Sequence, residues 1–485
     1  MFISHLEPSS LWKYFESICK IPRLSKNEEK IRAFLKEFAQ KNRLDVKEDK
    51  VGNILITRQA DTGYENRKAV VLQSHMDMVG EKNADTVHNW ASDPIKPFIE
   101  DGWVTAKVTT LGADDGIGMA AQMAILTDKS FKTGKIECLF TVDEESGMTG
   151  AINLQKDFFT SDILINLDSE DEGELFIGCA GGIDTVAEFN VETEKCSGEG
   201  MAYEISVTGL HGGHSGDEIH NGYANAVKLI AETISAFKNI FDARLSFIDA
   251  GNLRNAIPRE AFARLVAKNL SEKEAGKIIG EYQDRFAAEY EATEPNLKLD
   301  IKTCNLPETV IKSNIQSDLI NSLLKCPHGV IAWSKSMDNL VETSTNLASV
   351  KMKDNKITIV TSQRSSVNSA KNELALRIEK VFEEAGAKVR HSDGYPGWEP
   401  DTNSQILNIT RSSYTRLFGE KPLVRAIHAG LECGLILEKY PGLDMISFGP
   451  TIKGAHTPEE RINIVTTLKF WDLLVDVLKN IPEKE

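Results

Sequence analysis

The sequence predicts a fold in which an α/β domain is interrupted by an inserted α+β domain. Patterns typical of helices and strands alternate over residues 1–185, which is the order expected of a mixed sheet flanked by helices. Over residues 186–390 the pattern changes to strands of alternating polarity and long, charged helices. Residues 391–485 return to the α/β pattern. We therefore expect the last segment to complete the first domain and the middle segment to be an insertion.

The first segment begins with a helix signal and continues with apolar strands. Ser25 and Glu28 have the S-x-x-E spacing of a capping box, and apolar residues follow at i, i+3, i+4 and i+7 from Ile31, which predicts an amphipathic helix. The predicted strands are "NILIT", "AVVLQS", "KIECLFTV" and "ILINL", with the helix "GIGMAAQMAILTD" between the second and the third. Continuous apolar runs of this kind indicate strands that are buried on both faces of a sheet.

The middle and last segments contain their own series of elements. The middle segment has the predicted strands "YEISVTG", "LKLDIKT" and "KITIVTSQ" and the helix "SEKEAGKIIGEYQDRFAAEYEA". Its two helix-rich halves, residues 201–300 and 313–390, are of a size that suits two copies of one unit, although no residue-level repeat identifies them. In the last segment "QILNITRSSYTRLFG" and "TTLKFWDLLVDVLKNI" predict helices, and "LDMISFGP" predicts a strand.

Composition and charge exclude several classes of function. The chain has 485 residues and a net charge of −16 without a basic stripe, so a nucleic-acid partner is not expected because phosphate backbones would be repelled. Its seven cysteines form no close pair, which indicates reduced thiols and not a disulfide framework. The N-terminus lacks the pattern of a signal peptide, and no run of about 18 apolar residues occurs. We therefore expect a cytoplasmic protein without a membrane partner.

The stretch "VVLQSHMDMVG" ends a predicted core strand on His75 and Asp77. Side chains alternate along a strand, so these two residues would lie on the same side of the pleat. Open α/β sheets place their chemistry at the carboxyl ends of their strands. A hydrogen-bonded structural histidine is the competing interpretation for any one such position.

Polar clusters recur at comparable places along the chain. They are "SHMDM" (His75, Asp77), "LGADDGIG" (Asp114, Asp115), "TVDEESG" (Asp143, Glu144, Glu145), "NLDSE" (Asp168, Glu170) and "KGAHTPEE" (His456). Clustered carboxylates raise one another's pKa unless a cation lies among them. Imidazole and carboxylate ligands without cysteine suit zinc, with manganese or cobalt as alternatives. Two histidines and three carboxylates suffice for two metal ions that share one carboxylate.

Five of these strings, "SHMD", "ADDG", "EE", "NLD" and "GAHTPEE", occur in the order and approximate spacing of a known enzyme family. The chain resembles the dinuclear zinc aminoacylase and peptidase family that includes carboxypeptidase G, peptidase T, peptidase V and the carnosinases. The strings "GADDGIG", "NLDSEDEGE", "HAGLECG" and "GAHTPEERI" look closest to its aminoacyl-histidine dipeptidase branch. The resemblance spans the whole chain. It implies a zinc-peptidase-like catalytic domain, with a mixed sheet flanked by helices, and an inserted α+β lid domain.

The resemblance also implies two Zn²⁺ per chain, with Co²⁺ or Mn²⁺ as substitutes. The implied metal ligands are His75, Asp114, Glu145, Asp168 and His456. Asp114 would bridge the two ions, with His75 and Asp168 completing one site. Glu145 and His456 would complete the other.

Further roles follow from the same resemblance. Glu144 would be the general base that takes a proton from the attacking water, and Asp77 would orient His75 through its ring N–H. The family also implies a non-proline cis peptide between Asp114 and Asp115. Many relatives have a lysine after the double aspartate, where this chain has Gly116. We interpret that departure as subgroup variation, because the lysine is not a ligand.

The inserted segment carries the residues that the resemblance associates with the substrate. In "GLHGGHSGDEIHNG", His214 resembles the lid histidine that reaches the scissile carbonyl, whereas the competing interpretation is a glycine-rich turn before a helix. Asn255 and Arg364 resemble lid residues that supply an amide donor and a grip on a free carboxylate. The stretch "SDGYPGWEP" either lines the site with Tyr395 and Trp398 or makes the turn at the domain boundary.

The implied reaction is hydrolysis of dipeptides with a C-terminal histidine, including carnosine-like β-alanyl-histidine. A related zinc amidohydrolase, either an aminotripeptidase or an N-acyl amino acid deacylase, is the alternative within enzymes. A metal-free binding or scaffold protein of the same fold is the alternative outside them, although all five inferred ligands and Glu144 are present. Relatives dimerise through the lid, which leaves a homodimer and a monomer whose long lid replaces the second subunit as alternatives.

Overall fold

The structure, a computed structural model, describes residues 3–484. Contacts divide the chain into two compact units. The first unit comprises the residues up to Gly178, then Pro400–Ala426, and the residues from Leu431 onward. The second comprises Cys179–Glu399 and Ile427–Gly430, so it is inserted into the first.

Helices and strands follow one another in a mixed order along the chain. The helices are α1 (Ser9–Ile18), α2 (Glu29–Asn42), α3 (Ala113–Thr127), α4 (Glu144–Gly147), α5 (Thr149–Ile152), α6 (Ala226–Phe241), α7 (Glu272–Glu289), α8 (Ser313–Lys325), α9 (Asn368–Glu384), α10 (Gln405–Phe418), α11 (Glu432–Lys439) and α12 (Ile464–Lys479), with a 3₁₀ turn at Ile219–Asn221. The strands are β1 (Asp45–Glu48), β2 (Ile54–Arg58), β3 (Val70–His75), β4 (Pro97–Glu100), β5 (Trp103–Ala106), β6 (Ile136–Thr141), β7 (Ile163–Asn166), β8 (Glu174–Cys179), β9 (Gly181–Asn190), β10 (Thr193–Lys195), β11 (Met201–Thr208), β12 (Arg244–Gly251), β13 (Ala261–Ala267), β14 (Lys298–Cys304), β15 (Thr309–Ile311), β16 (Gly329–Trp333), β17 (Val341–Lys353), β18 (Lys356–Ser365), β19 (Lys388–His391), β20 (Leu423–Ile427), β21 (Asp444–Ser447), β22 (Ile452–Lys453) and β23 (Arg461–Asn463). Within residues 3–484 we find no helix with both the length and the hydropathy needed to cross a membrane.

The first unit is built on a mixed sheet with the strand order β1-β2-β6-β3-β7-β21-β8-β20. Its central strands β6, β3, β7 and β21 run parallel to one another. Every residue of β3, β6 and β7 is buried, which explains why these strands are continuous apolar runs in the sequence. Helix α3 packs against both β3 and α1. The predicted mixed sheet flanked by helices is therefore confirmed, and parallel strands bring several loops to one edge of it.

The capping box expected at the start of α2 is absent. Ser25 makes no cap, and the residue at the N-cap position, Glu28, has no capping hydrogen bond. The Ser25 hydroxyl instead donates to Asp77 Oδ2 at 2.8 Å, and Glu28 Oε1 accepts from the Asp143 N–H at 3.1 Å. The two side chains bind the loops at the edge of the sheet because those loops offer buried partners. A true capping box does form at α7, between Ser271 and Glu274.

The second unit contains a long sheet with the strand order β14-β11-β13-β12-β17-β18-β9-β19. Its two halves meet at the antiparallel pair β12 and β17. Each half has the chain order strand, helix, strand, strand, helix, strand: β11-α6-β12-β13-α7-β14 in one, and β9-α8-β17-β18-α9-β19 in the other. The expected two copies are therefore present as topology. The first strand of the second copy, β9, precedes the first copy in the chain. A search for two consecutive segments therefore does not find the repeat.

One continuous core serves both halves of the second unit. Its buried members run from Ala187 in β9 through Phe237 in α6 to Phe382 in α9. None of the cysteines among the described residues forms a disulfide with another.

Candidate metal centre and active site

The polar clusters of the sequence meet at one edge of the first unit's sheet. His75 is the last residue of β3, the Glu144–Glu145 pair follows β6, and Asp168 follows β7. Because these strands are parallel neighbours in the order β6-β3-β7, their carboxyl ends lie side by side. Asp114 is brought to the same edge at the start of α3. The fold therefore brings together polar residues that lie in separate stretches of the sequence.

His75, Asp114 and Asp168 form a first group of candidate ligands. The His75 Nε2 atom lies 2.9 Å from Asp114 Oδ1 and 3.3 Å from Asp168 Oδ1. One ligand atom from each of the three residues lies within 4.8 Å of the others. This spacing suits donors that surround one cation.

Asp114, Glu145 and His456 form a second group with the same compactness. His456 Nε2 lies 2.9 Å from Glu145 Oε2 and 3.2 Å from Asp114 Oδ2. Asp114 thus presents Oδ1 to the first group and Oδ2 to the second. A carboxylate that serves two groups with different oxygens is arranged as a bridging ligand between two metal ions would be.

The charges in this cluster fit positively charged occupants. Burial raises the pKa of Asp168 to about 8. Burial alone would also raise the pKa of Asp114. Hydrogen bonds with His456 and His75 outweigh that effect and hold the pKa of Asp114 well below its usual range. Hydrogen bonds with Asp114 and Glu145 raise the pKa of His456 to about 11. Glu145 Oε1 is buried without a hydrogen-bond partner. Mostly buried carboxylates together with the buried imidazole of His75 and the half-exposed imidazole of His456 are a donor set that zinc accepts.

Asp77 holds the two neighbouring glutamates in place. Its Oδ1 accepts the Glu144 N–H at 3.0 Å, and its Oδ2 accepts the Glu145 N–H at 3.2 Å and the Ser25 hydroxyl at 2.8 Å. The His75 Nδ1 atom lies 3.4 Å from Asp77 Oδ1, although the pair does not satisfy the geometry of a hydrogen bond. Asp77 therefore contacts the backbone of both glutamates and stands beside the ring of His75.

Glu144 stands next to both ligand groups and belongs to neither. Burial raises the pKa of Glu144 to about 8, against the opposing charge of His75 and with the support of Glu432 and Glu145. A carboxyl group whose pKa lies near neutral pH is suited to accept and release protons.

The turn that carries Asp114 has the backbone expected from the family resemblance. The peptide bond between Asp114 and Asp115 is cis. A Cβ atom at Gly116 would lie 2.6 Å from Arg23 Nη2, so the side chain of Arg23 occupies the space beside this position. The guanidinium of Arg23 thus places a cation beside Gly116.

Buried charged residues that we did not single out in the sequence also border the cluster. Arg23 and Glu460 are each 2% exposed, and Glu432 is 1% exposed. Glu432 Oε2 accepts from Gln73 Nε2 at 2.6 Å and from the Thr141 hydroxyl at 2.7 Å. The strings "GAHTPEE" and "HAGLECG" contain Glu460 and Glu432, so a signal was available for these two. No local pattern marks Arg23.

The predicted substrate-binding residues His214, Asn255 and Arg364 all lie in the second unit. His214 forms a backbone bridge with Ala256, and its Nδ1 lies 3.0 Å from Asp217 Oδ2. The neighbouring Asn255 is exposed, and its carbonyl accepts the Ser215 N–H at 2.9 Å. His214 and Asn255 thus belong to two paired backbone segments.

Arg364 is only 9% exposed. Its Nη1 donates to the Tyr395 hydroxyl at 3.4 Å, and its Nε atom has no hydrogen-bond partner. The Tyr395 backbone pairs with Gly182, and the Trp398 backbone pairs with Cys179. The stretch "SDGYPGWEP" therefore does form a turn that pairs with the start of the unit, and Tyr395 in addition contacts Arg364.

Comparisons with known proteins add independent information. Residues 71–480 match the model of the peptidase family M20/M25/M40. The chain is 42% identical over 482 residues to the cytosol non-specific dipeptidase of Escherichia coli, covering 99% of both chains. It is also 42% identical to the crystal structure of aminoacylhistidine dipeptidase from Vibrio alginolyticus, with a TM-score of 0.96 and coverage of 100% of this chain and 99% of that one. Aminopeptidase PepT from Bacillus cereus, 16% identical with a TM-score of 0.57 over 98% of this chain and 99% of that one, shares the fold.

Proposed function

The chain belongs to the peptidase family M20/M25/M40, and from this premise we propose that it is a metal-dependent dipeptidase. The observation that carries the proposal is the pair of ligand groups that share Asp114 through its two oxygens, with Glu144 beside them. The closely spaced carboxylates of this cluster repel one another, and cations bound between them would relieve that repulsion. The two relatives that are 42% identical over nearly the whole chain are both named as dipeptidases.

We propose that the two groups hold two metal ions, with zinc as the first choice. His75 and Asp168 would bind one ion, Glu145 and His456 the other, and Asp114 both. When bound, such ions would polarise the scissile carbonyl and lower the pKa of the attacking water. Every one of these ligands comes from the first unit.

The protein's own residues then perform the proton transfers. The Glu144 carboxylate accepts a proton from the attacking water and returns it to the nitrogen of the leaving amine. Asp77 keeps that carboxylate in place, because it binds the N–H groups of Glu144 and Glu145. Asp77 also stands beside the ring of His75, where it limits the rotation of that ring.

We further propose that the second unit is a lid that binds the substrate. His214 would stabilise the oxyanion, Asn255 would donate its amide to the substrate, and Arg364 would grip the free C-terminal carboxylate. The burial of Arg364 and its unpartnered Nε support this role, because a buried guanidinium needs acceptors. A fixed grip on the C-terminal carboxylate favours short peptides over proteins.

The substrates that we propose are dipeptides with a C-terminal histidine, including β-alanyl-histidine. This choice rests on the Vibrio relative, which is named for aminoacyl-histidine, while the Escherichia coli relative is named as non-specific. The same Escherichia coli relative is named for the cytosol, and we propose that location for this chain. A homodimer of this chain stays a prediction.

The test compares zinc-loaded wild type with Glu144→Gln on Gly-His and β-alanyl-histidine, with bound zinc counted in both samples. We expect wild type to bind about two zinc ions and cleave both dipeptides, and the variant to keep its zinc and lose most of its activity. Glu291→Gln, at an exposed position of the second unit, is the control and should behave as wild type. A wild type that binds no zinc would overturn the proposal. Cleavage of N-acetylated amino acids or of tripeptides in preference to dipeptides would instead identify the amidohydrolase alternatives.

A further inference from the structure

A buried carboxylate binds the turn that carries Asp114. Glu460 Oε2 accepts the N–H groups of Leu111 at 2.7 Å and Gly112 at 2.9 Å. Glu460 Oε1 accepts those of Ala113 at 2.6 Å and Asp114 at 3.3 Å. Consecutive backbone N–H groups that converge in this way form an anion-binding concavity. Here the anion is a side chain from another part of the same chain.

Glu460 lies four residues after His456, on the loop that carries this candidate ligand. The hydrogen bonds of Glu460 therefore connect two ligand-bearing segments that are more than 340 residues apart in the chain. The distance between Asp114 Oδ2 and His456 Nε2, 3.2 Å, depends on how these two segments are held. No other side chain hydrogen-bonds to these N–H groups within the part of the chain that the structure describes.

Arg23 binds the same turn through a carbonyl and connects it to a third ligand-bearing segment. The Arg23 Nη2 atom donates to the carbonyl of Gly112. The Arg23 Nη1 atom donates to the carbonyl of Met76 at 3.1 Å and to that of Asp77 at 2.5 Å. Met76 and Asp77 directly follow the candidate ligand His75. The N–H groups of the turn thus face a carboxylate, and its carbonyl faces a guanidinium.

Two glycines leave the space that Arg23 needs. A Cβ atom at Gly112 or at Gly116 would lie 2.6 Å from Arg23 Nη2. Gly112 also has a φ of +69°, which side chains disfavour, but Gly116 has no such backbone requirement. A Cβ atom at Gly116 would also lie 3.2 Å from Phe15 Cε2. The guanidinium is the closer of the two groups, so an alanine at Gly116 would displace it.

We propose that Glu460 and Arg23 are positioning residues that hold the segments of His75, Asp114 and His456 at the spacing that two metal ions require. The inference rests on the proposed function, because it assigns these residues to the metal pair. It differs from simple capping of α3, which would stabilise the helix without any effect on metal binding. Neither residue is a ligand or touches the substrate in this scheme.

The experiment uses the full chain and Co²⁺ alone as the probe. Co²⁺ affinity is measured by competition with a chelator, and the visible absorption spectrum of the saturated protein reports ligand geometry. We expect Glu460→Gln to weaken Co²⁺ binding roughly 10–100-fold, because an amide carries no charge and offers one acceptor oxygen. The spectrum at saturation should change, and with Gly-His kcat should fall while KM stays constant. Glu459→Gln, at the exposed neighbouring position, should match wild type in all readouts.

Gly116→Ala tests the other half of the proposal without touching Glu460. Alanine suits a helix, so the variant should fold and show the same direction of change in Co²⁺ affinity and spectrum. If Glu460→Gln fails to fold, Gly116→Ala still decides. Loss of stability with unchanged affinity and spectrum would overturn the proposal in favour of simple helix capping. If the wild type binds no Co²⁺, the proposed function itself is overturned. If the wild type binds Co²⁺ and the variants match it in affinity and spectrum, only this inference is overturned.

Discussion

Replacement of Asp77 by asparagine is the sharpest test of how the Glu144–Glu145 pair is held. The side chain is 0% exposed, and its two oxygens accept different backbone N–H groups. Oδ1 accepts from Glu144 at 3.0 Å and Oδ2 from Glu145 at 3.2 Å. An asparagine has one acceptor oxygen, so either orientation of its amide places an NH₂ group against one of these N–H groups.

The expected cost follows from that single lost acceptor. A buried donor left without a partner costs about 1–3 kcal/mol, so we expect the free energy of unfolding of the metal-free protein to fall by that amount. The ring of His75 also loses the carboxylate that stands 3.4 Å from its Nδ1. Loss of such a partner beside a metal ligand typically lowers metal affinity or activity about 10–100-fold, and we expect kcat to fall within that range.

Urea unfolding of the metal-free protein, together with kcat and bound zinc, measures these effects. The control is Asp171→Asn, whose carboxylate is half exposed and pairs with Lys453 at 2.8 Å. That pair lies at the surface, so the control should change the free energy of unfolding by less than about 1 kcal/mol. If Asp77→Asn matched the control in stability and in kcat, the role of Asp77 as the support of both glutamates would be refuted.

Three further predictions address other parts of the molecule. Gly449→Ala would place a Cβ atom 1.8 Å from the Ser169 carbonyl oxygen, so the overlap should cost about 1–3 kcal/mol or more, and an unchanged melting temperature would contradict it. Burial lowers the pKa of His428 to about 3, with a further contribution from Arg364. The free energy of unfolding should therefore fall as the pH drops below 6.5, the ordinary pKa of histidine, because the unfolded chain takes up the proton there and the folded chain does not. His428→Gln should reduce this fall by up to about 1.4 kcal/mol per pH unit in urea unfolding, and parallel pH profiles would exclude the effect. Arg364→Ala should raise KM for Gly-His about tenfold or more through loss of charged hydrogen bonds but leave hydrolysis of the dipeptide amide unchanged, and equal effects on both would argue against a carboxylate grip.

Short-range patterns were reliable where burial alone determines the outcome. The continuous apolar runs at β3, β6 and β7 are buried throughout. The S-x-x-E spacing is a weaker guide: it gives a capping box at the exposed start of α7, between Ser271 and Glu274, where we had predicted none. The same spacing at Ser25 and Glu28 was misleading. Those side chains bind Asp77 and the Asp143 backbone instead, because a buried partner brought close by the fold competes with the helix end.

The repeat in the second unit shows a second limit of the sequence. Its halves share the order of strands and helices without a residue-level repeat. The strand β9 that completes the second half precedes the first half in the chain. Only pairing across the sheet reveals which strands belong together, because strand order in space is not a local property of the chain.

The sequence by itself determined the fold class, the candidate ligands and their chemistry, since residue type, strand ends and resemblance are all written in short stretches. Tertiary structure alone determined that Asp114 turns a different oxygen to each ligand group and that Glu460 and Arg23 bind the turn around it. The physical reason is that a hydrogen bond depends on distance and direction in space. When its partners lie more than 340 residues apart in the chain, only the packing of the whole unit sets both.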